Sequence, residues 1–369
     1  MPINSADPAQ APAPGGTPAG TTATADKALA ARLTRRGALA LAPAVALVAG
    51  CSSSKDKKTT GGTGDGALDQ VTYMTGFGTF GREAYAYVAD AKGFFRDNGI
   101  KVKIVPGSGQ EADLAGLIAG KIDFQTTETS MFVSLMAKGY KDARIIGAIH
   151  QRTVVALMAL PDRGIKRPQD LVNRTIAYGG VAPRLLFPAY ARLAGFDAAT
   201  VKWVRATPPT LPGELASRKV DAIGQFVTGT PLIKAATRQQ SIVVLPFGDY
   251  LPDLTGNLLA TSTNMIKNKP DLVRRFVDAL MKGLSYAMAN PEECGAIMNQ
   301  AVSTTAAAIA TAELQVMKPY VMTGGSAVGG LTEAGIAQVI ALLTSVGLVP
   351  QGALIPDNVA DFNFVPKPH

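Results

Sequence analysis

The chain has 369 residues, 47% of them apolar and 17% charged, with a formal charge of +8. Its basic residues are scattered rather than clustered in blocks interleaved with aromatics, which argues against a nucleic-acid surface. Only two histidines occur, His150 and the terminal His369, which argues against a zinc site built from imidazoles.

Residues 1–31 are dominated by Pro, Gly, Ala and Thr without apolar periodicity, so they cannot offset the entropy of ordering and are expected to be disordered. Arg32 to Arg36 is a short basic patch, and Gly37 to Gly50 carries no charge. A basic flank before a short apolar run marks an export signal, and the run falls short of the roughly 20 residues that a spanning helix needs. Pro43 and the glycines argue against a buried helix here. Val48-Ala49-Gly50-Cys51 resembles the lipobox of bacterial lipoproteins, which implies a lipid on Cys51, anchoring by buried acyl CH2 groups and export across the cytoplasmic membrane. Residues 1–50 are thus expected to be leader and signal, and 51–68 a polar flexible tether. Thr34-Arg35-Arg36-Gly37-Ala38-Leu39 resembles a twin-arginine motif but has Ala38 where a bulkier apolar residue is usual, so Sec export stays open. Without residues 1–50 the charge is +6, compatible with anionic headgroups nearby. An acylated Cys51 leaves Cys294 without an intrachain disulfide partner; it reads as a small, partly buried helix residue.

Beyond the tether, Val71–Thr75 reads as a strand, 84–95 as a helix stopped by Gly99, and Val102–Val105 as a strand. A helix over 111–119, a strand over 123–126, a helix from Thr129 or Ser130 to Met136, and strands over 143–149 and 153–160 follow. The rhythm then restarts. Strands are expected at 175–178, 202–205, 221–226 and 241–245, with helices from Gly179-Gly180 to Gly195, over 212–217 and from Thr228. A strand over 257–261, a long amphipathic helix over 270–289 and helices over 311–316 and 333–345 complete the chain, the last two joined by a Gly324-Gly325 loop. Alternating strands and helices at this spacing predict an α/β fold with mainly parallel sheets. The expected organisation is a first lobe begun by 69–160, a second lobe of 161–254, and a return to the first lobe by 255–369. Such an arrangement joins two lobes by two crossings and leaves a cleft for a small molecule.

The sequence Ala91-Lys92-Gly93-Phe94-Phe95-Arg96-Asp97-Asn98-Gly99-Ile100, followed by Val102-Lys103-Ile104, resembles the opening of the NMT1/THI5-like group of periplasmic solute-binding proteins. Ile118 to Phe124 and Leu215 to Ala222 resemble that group's paired segments, and Phe276 to Glu293 its return helix. The resemblance covers residues 70–350. It implies a type II periplasmic-binding-protein fold and a role in an ABC importer for nitrate, sulfonates, taurine, or thiamine or riboflavin precursors. The permease and its ATPase are then partners, the chain acts as a monomer, and no cofactor or catalysis is implied. The stretch Gln315 to Tyr320, with Gly347-Leu348-Val349, is most similar to the pyrimidine and riboflavin-precursor branch. The first-lobe loop departs from the thiamine-precursor pattern, having Gly78-Thr79-Phe80-Gly81-Arg82 in place of Trp-x-x-Asn. The cysteine-rich motif of the group's pyrimidine-synthesising member is absent from the sequence. Nitrate, alkanesulfonate or taurine binding, an enzyme and a sensor remain the alternatives.

Parallel α/β lobes bind ligands at the carboxyl ends of their strands. Four strand-to-helix joins are candidates: 77–85, 127–130, 179–184 and 225–230. Phe80, Tyr85 and Tyr178 offer rings for stacking, while Arg82 and Arg184 offer rigid guanidinium forks for an anion. Glu128 can accept from an amine or ring N–H, and Thr129, Ser130, Gln225 and Thr228 can complete the hydrogen bonds. Each also has a structural alternative: core packing for Phe80, a solvated loop for Arg82, a salt bridge to Asp197 for Arg184, and plain N-capping for Thr129 and Ser130. His150 reads as a buried or hinge histidine. No Gly-x-Ser-x-Gly elbow and no phosphate loop occurs.

Overall fold

The computed structural model describes residues 68–109, 111–323 and 327–367. The export signal, Cys51, the tether to residue 67, Gly324-Gly325 and His369 lie outside the described residues. Among the described residues no helix is long and apolar enough to cross a membrane.

The first lobe begins with β1 (Asp69–Met74), α1 (Ala84–Ala91), α2 (Phe94–Asp97), β2 (Ile100–Val105), α3 (Glu111–Ile118), β3 (Phe124–Glu128), α4 (Thr129–Ala137) and β4 (Ala143–Ala148). The helix expected over 84–95 is broken in two, because Gly93 turns into the left-handed region at φ 78°. Next come β5 (Val155–Ala159), β6 (Thr175–Tyr178), α5 (Ala182–Ala194), β7 (Lys202–Arg205), α6 (Leu211–Ala216), β8 (Ala222–Phe226), α7 (Thr230–Thr237) and β9 (Val243–Pro246). The remainder is β10 (Asn257–Ser262), α8 (Thr263–Asn268), α9 (Pro270–Ala289), α10 (Pro291–Ala301), α11 (Ala307–Val321), α12 (Glu333–Ser345) and α13 (Pro356–Val359). The sequence reading missed α8, α10 and α13 and saw only the middle of α11.

Two five-stranded sheets form, ordered β2-β1-β3-β10-β4 and β7-β6-β8-β5-β9. Each is mixed rather than mainly parallel. In the first, β2, β1 and β3 run parallel while β10 is antiparallel to β3 and β4. In the second, β7, β6 and β8 run parallel while β5 is antiparallel to β8 and β9. The reason is geometric. The parallel strands end at the cleft, and a strand entering a sheet straight from a crossing starts there. Asn257 at the head of β10 therefore pairs with Glu128 at the foot of β3. Val155 at the head of β5 likewise pairs with Phe226 at the foot of β8. β5 thus belongs to the second sheet, although the first block was expected to run to residue 160.

The two crossings lie side by side and bond to each other. His150 N–H donates to Asn257 O at 2.9 Å, Gly256 N–H to His150 O at 3.1 Å, and Thr153 N–H to Leu254 O at 2.7 Å. The pair is tight enough to require glycine at 256. A Cβ there would stand 2.5 Å from Arg152 O and 2.6 Å from His150 Cβ.

Burial holds each lobe on its sheet. The amphipathic α9, opened by Pro270 in its first turn, buries Leu272, Val273, Phe276, Val277, Leu280 and Leu284 at helical spacing. Phe276 stacks on Phe124 of β3 with ring centroids 3.8 Å apart, and burying such a ring is worth about 1.5–3 kcal/mol. That apolar cluster joins α1, α9, α10 and α11 to the first sheet and includes the buried Cys294. A second cluster runs from α3 and α4 through the crossings, at Val154, Leu251 and Leu254, into α5 and β8 of the second lobe.

Gly256→Ala should lower the unfolding free energy by roughly 1–3 kcal/mol through overpacking. Thermal unfolding checks it; a Tm equal to that of the native sequence would mean that the crossings have room to part.

Candidate functional site

The carboxyl ends of the parallel strands in both lobes point at one another, and among the described residues a smaller and a larger space lie between them. The smaller is a crevice of about 20 Å3 lined by Phe77, Glu128, Met131 and Asn257 from the first lobe and by Gly180, Val181 and Phe226 from the second, among others. The Phe77 ring bridges the lobes on its wall, meeting Phe226 edge-on with centroids 5.1 Å apart. The larger is a cavity of about 570 Å3, within the usual range for small ligands of about 300–1,000 Å3. The loop after β1 (78–81), the loop after β2 (106–108), Pro208-Pro209 after β7, Leu232 of α7 and the turn into α11 (304–309) surround it, with Glu313 of α11 on its wall.

Of the ten residues proposed from sequence, Phe80 lines the larger cavity and Glu128 the crevice. Glu128, not Thr129 or Ser130, caps α4: its Oε2 accepts from Met131 N–H at 3.0 Å and from the Ser130 hydroxyl. Its Oε1 is buried without a hydrogen-bond partner, and burial raises its carboxyl above the usual range. Thr129 serves the hinge instead. Its N–H and hydroxyl both donate to Gly256 O, and Thr255 donates to its hydroxyl at 3.1 Å.

Arg82 is not an open fork. It is 1% exposed, and its guanidinium lies 4.4 Å from the Phe80 centroid and 5.3 Å from that of Phe226. Its partner is the buried Glu313, with Nη1 to Oε1 at 3.7 Å and backbone N–H donating to Oε2 at 3.0 Å. Tyr85 belongs to the core. Its hydroxyl shares a buried network with Tyr73 at 3.0 Å, Thr126 at 3.2 Å and the Glu83 carboxyl at 3.1 Å. Gln225 and Thr228 are buried at the foot of β8; Gln225 Oε1 accepts from Phe226 N–H at 3.0 Å, while Gln225 Nε2 and Thr228 Oγ1 have no partner. Tyr178 and Arg184 are among the lining residues of neither space. Arg184 is exposed, donating to the Tyr178 hydroxyl at 3.3 Å rather than bridging Asp197, which caps its own turn through Ala199 N–H. His150 is buried at the hinge, and burial, then the nearby Arg82, push its pKa down to about 3.

Sequence reasoning held Phe77 only as the start of the candidate join 77–85, and missed Asn257 and Glu313 as lining residues. Glu313 did leave a signal. It stands on the buried stripe of α11 among Ala310, Leu314, Met317 and Val321, and a carboxylate on an apolar helical face calls for a local reason. Burial raises its pKa to about 7, the Arg82 guanidinium pulling the other way.

A sequence profile described as NMT1/THI5 like matches residues 83–294, more than half of the chain. One curated relative is a 4-amino-5-hydroxymethyl-2-methylpyrimidine phosphate synthase of Legionella pneumophila. It is 27% identical over 227 residues, covering 58% of this chain and 68% of that protein. Another is the riboflavin-binding protein RibY of Chloroflexus aurantiacus, 27% identical over 234 residues, covering 61% of this chain and 64% of that one. Among solved structures, the alkanesulfonate-binding protein SsuA from Xanthomonas axonopodis pv. citri bound to MOPS superposes with a TM-score of 0.63 at 19% identity, over 79% of this chain and 97% of that one. The last likeness speaks to the fold alone.

The raised pKa of Glu313 has a sign that can be measured. A folded-state value near 7, above the unfolded 4.5, means that the folded chain holds this proton more tightly. The resulting stabilisation is complete below about 4.5 and is lost as the pH rises through about 7. Glu313→Gln has no such proton, so the native sequence should lose stability relative to this variant between about pH 4.5 and 7. Tm curves for the two that stay parallel from pH 4 to 8 would contradict the assignment.

Proposed function

The chain belongs to the NMT1/THI5-like family, and we propose that it is the solute-binding component of an ABC importer, exported and held at the membrane by a lipid on Cys51. Its solute is a small nitrogen-bearing aromatic molecule of the pyrimidine or riboflavin-precursor kind, captured between the lobes and handed to the permease by a monomer. The observation that carries the reading is the meeting of strand carboxyl ends from two lobes around a cavity of about 570 Å3, with two crossings joining those lobes among the described residues. Such a hinge lets the lobes close on a solute and open to release it. The buried atoms without partners at the cleft, Glu128 Oε1, Asn257 Oδ1, Gln225 Nε2 and Thr228 Oγ1, support it as well. Unpaired groups of this kind gain when a ligand supplies the missing hydrogen bonds.

Thermal unfolding of the full chain with flavin, pyrimidine, nitrate and sulfonate solutes tests this. One solute at about a hundred times its Kd should stabilise the fold by about 2.7 kcal/mol. No shift across the panel would count against solute binding, and conversion of a solute to a phosphorylated pyrimidine would favour the synthase chemistry named for the Legionella relative. For the anchor, Cys51→Ser should move the protein from the membrane to the soluble fraction; retention by an acyl chain in that variant would end the lipoprotein reading.

A further inference from the structure

The charge of the folded chain is divided unequally between the lobes. Residues 161–254 carry twelve basic and seven acidic residues, a net of +5, whereas residues 68–160 and 255–367 together carry seventeen of each. Basic residues that are scattered in the sequence come together at one end of the second lobe. The carboxyl ends of β6, β7 and β8 lie at the cleft, so their amino ends, at Thr175, Lys202 and Ala222, form the opposite end of that lobe. β5 runs against them and delivers Pro161–Arg163 there, while α6 and α7 run back to it and bring Arg218 and Arg238. The acids Asp162, Asp170 and Asp221 at this end are engaged: Asp221 pairs with both Arg163 and Arg174, Asp162 with Arg218, and Asp170 with Arg167. Lys166, Lys202 and Arg238 are exposed and stand in no ion pair among the described residues. Two of the arginines also occupy costly backbone. Arg218 at φ 59° and Arg238 at φ 55° take the left-handed turn after α6 and α7, a turn that Gly120, Gly139 and Gly195 make after α3, α4 and α5. A cation kept where glycine is easier points to a use for its charge.

Resting on the membrane-anchored reading above, we propose that this end of the second lobe is an interaction surface for anionic phospholipid headgroups. A lipid on Cys51 keeps the chain beside a bilayer, and each basic side chain within a Debye length of an anionic surface strengthens binding roughly fivefold. The second lobe, not the electrically balanced first one, is therefore drawn to the bilayer. Because the surface lies opposite the strand ends that form the cleft, a chain resting on it keeps its cleft open to solute instead of pressed against the headgroups. Attraction of this kind is reversible and weakens with salt, so it orients the chain, while the acyl group holds it at the membrane.

The test is co-sedimentation of the full Cys51→Ser chain, which carries no acyl group, with vesicles of phosphatidylcholine alone or mixed with phosphatidylglycerol, at low ionic strength. The chain should bind the mixed vesicles and leave them as salt is added. Lys166→Glu, Lys202→Glu and Arg238→Glu together should weaken binding about tenfold or more. Lys101→Glu, Lys121→Glu and Lys138→Glu, at exposed lysines of the first lobe, make the same change in net charge and should weaken it far less. Arg218→Gly with Arg238→Gly is a second variant. It removes two cations at positions whose backbone suits glycine, so Tm should hold while vesicle binding weakens several-fold. Equal losses in the two triple variants would reduce the effect to net charge and overturn the proposal, as would equal binding to phosphatidylcholine alone or no binding to the mixed vesicles. A lowered Tm with unchanged vesicle affinity in the glycine variant would assign those arginines to the helix ends instead. None of the substituted residues lines either space of the cleft, so the thermal shift given by a solute should persist in every variant. Failure with vesicles is thereby separated from failure of solute capture, and failure of the acyl anchor is read from Cys51→Ser in cells.

Discussion

The fold depends on the pairing of the two crossings between the lobes. His150, Gly256 and Asn257 bind the crossings to each other through backbone hydrogen bonds, and Thr129 fastens the start of α4 to the same point. This pairing fixes where β5 and β10 enter their sheets, and so decides that each is antiparallel to its neighbours. It also brings the foot of β3, with Glu128, opposite the foot of β8, with Phe226. A side chain at 256 would drive the crossings apart.

Around that hinge the molecule separates two jobs. Next to it the lobes meet through aromatic contacts: Phe77 against Phe226, with Arg82 lying over both rings at 5.6 Å and 5.3 Å. On the side of the edge strands β2 and β7 the lobes stand apart and leave the large cavity. Helix α11 connects the two regions, because Glu313 reaches both the backbone of Arg82 and the cavity wall. Arg82 holds both oxygens of that buried carboxyl, its backbone N–H donating to one and its guanidinium standing 3.7 Å from the other.

Much of this was legible in the sequence. The alternation of strand and helix, the restart after residue 160, the return helix beginning at Pro270 and the joins at strand ends all follow from local pattern. The antiparallel insertions did not, because strand direction is set by where a crossing enters a sheet and not by the residues of the strand. The site was legible in part. Phe80 and Glu128 were found by their place after strands. Tyr85 and Arg82 shared that place, yet fold inward, since Tyr85 meets Tyr73 and Thr126 and Arg82 meets Glu313, a residue 231 positions away. Pairings over that range leave no trace in local spacing. Glu313 itself was marked only by being charged on an apolar stripe.

The central claim is that the chain captures one small solute between its lobes. Native mass spectrometry of the full chain, purified without denaturation from the cells that make it, tests this most directly. The account predicts one bound molecule per chain, of a mass matching a nitrogen-bearing aromatic compound, exchanged when the hinge is loosened by Gly256→Ala. A chain that carries no molecule and gains none from a pool of cellular metabolites would contradict it.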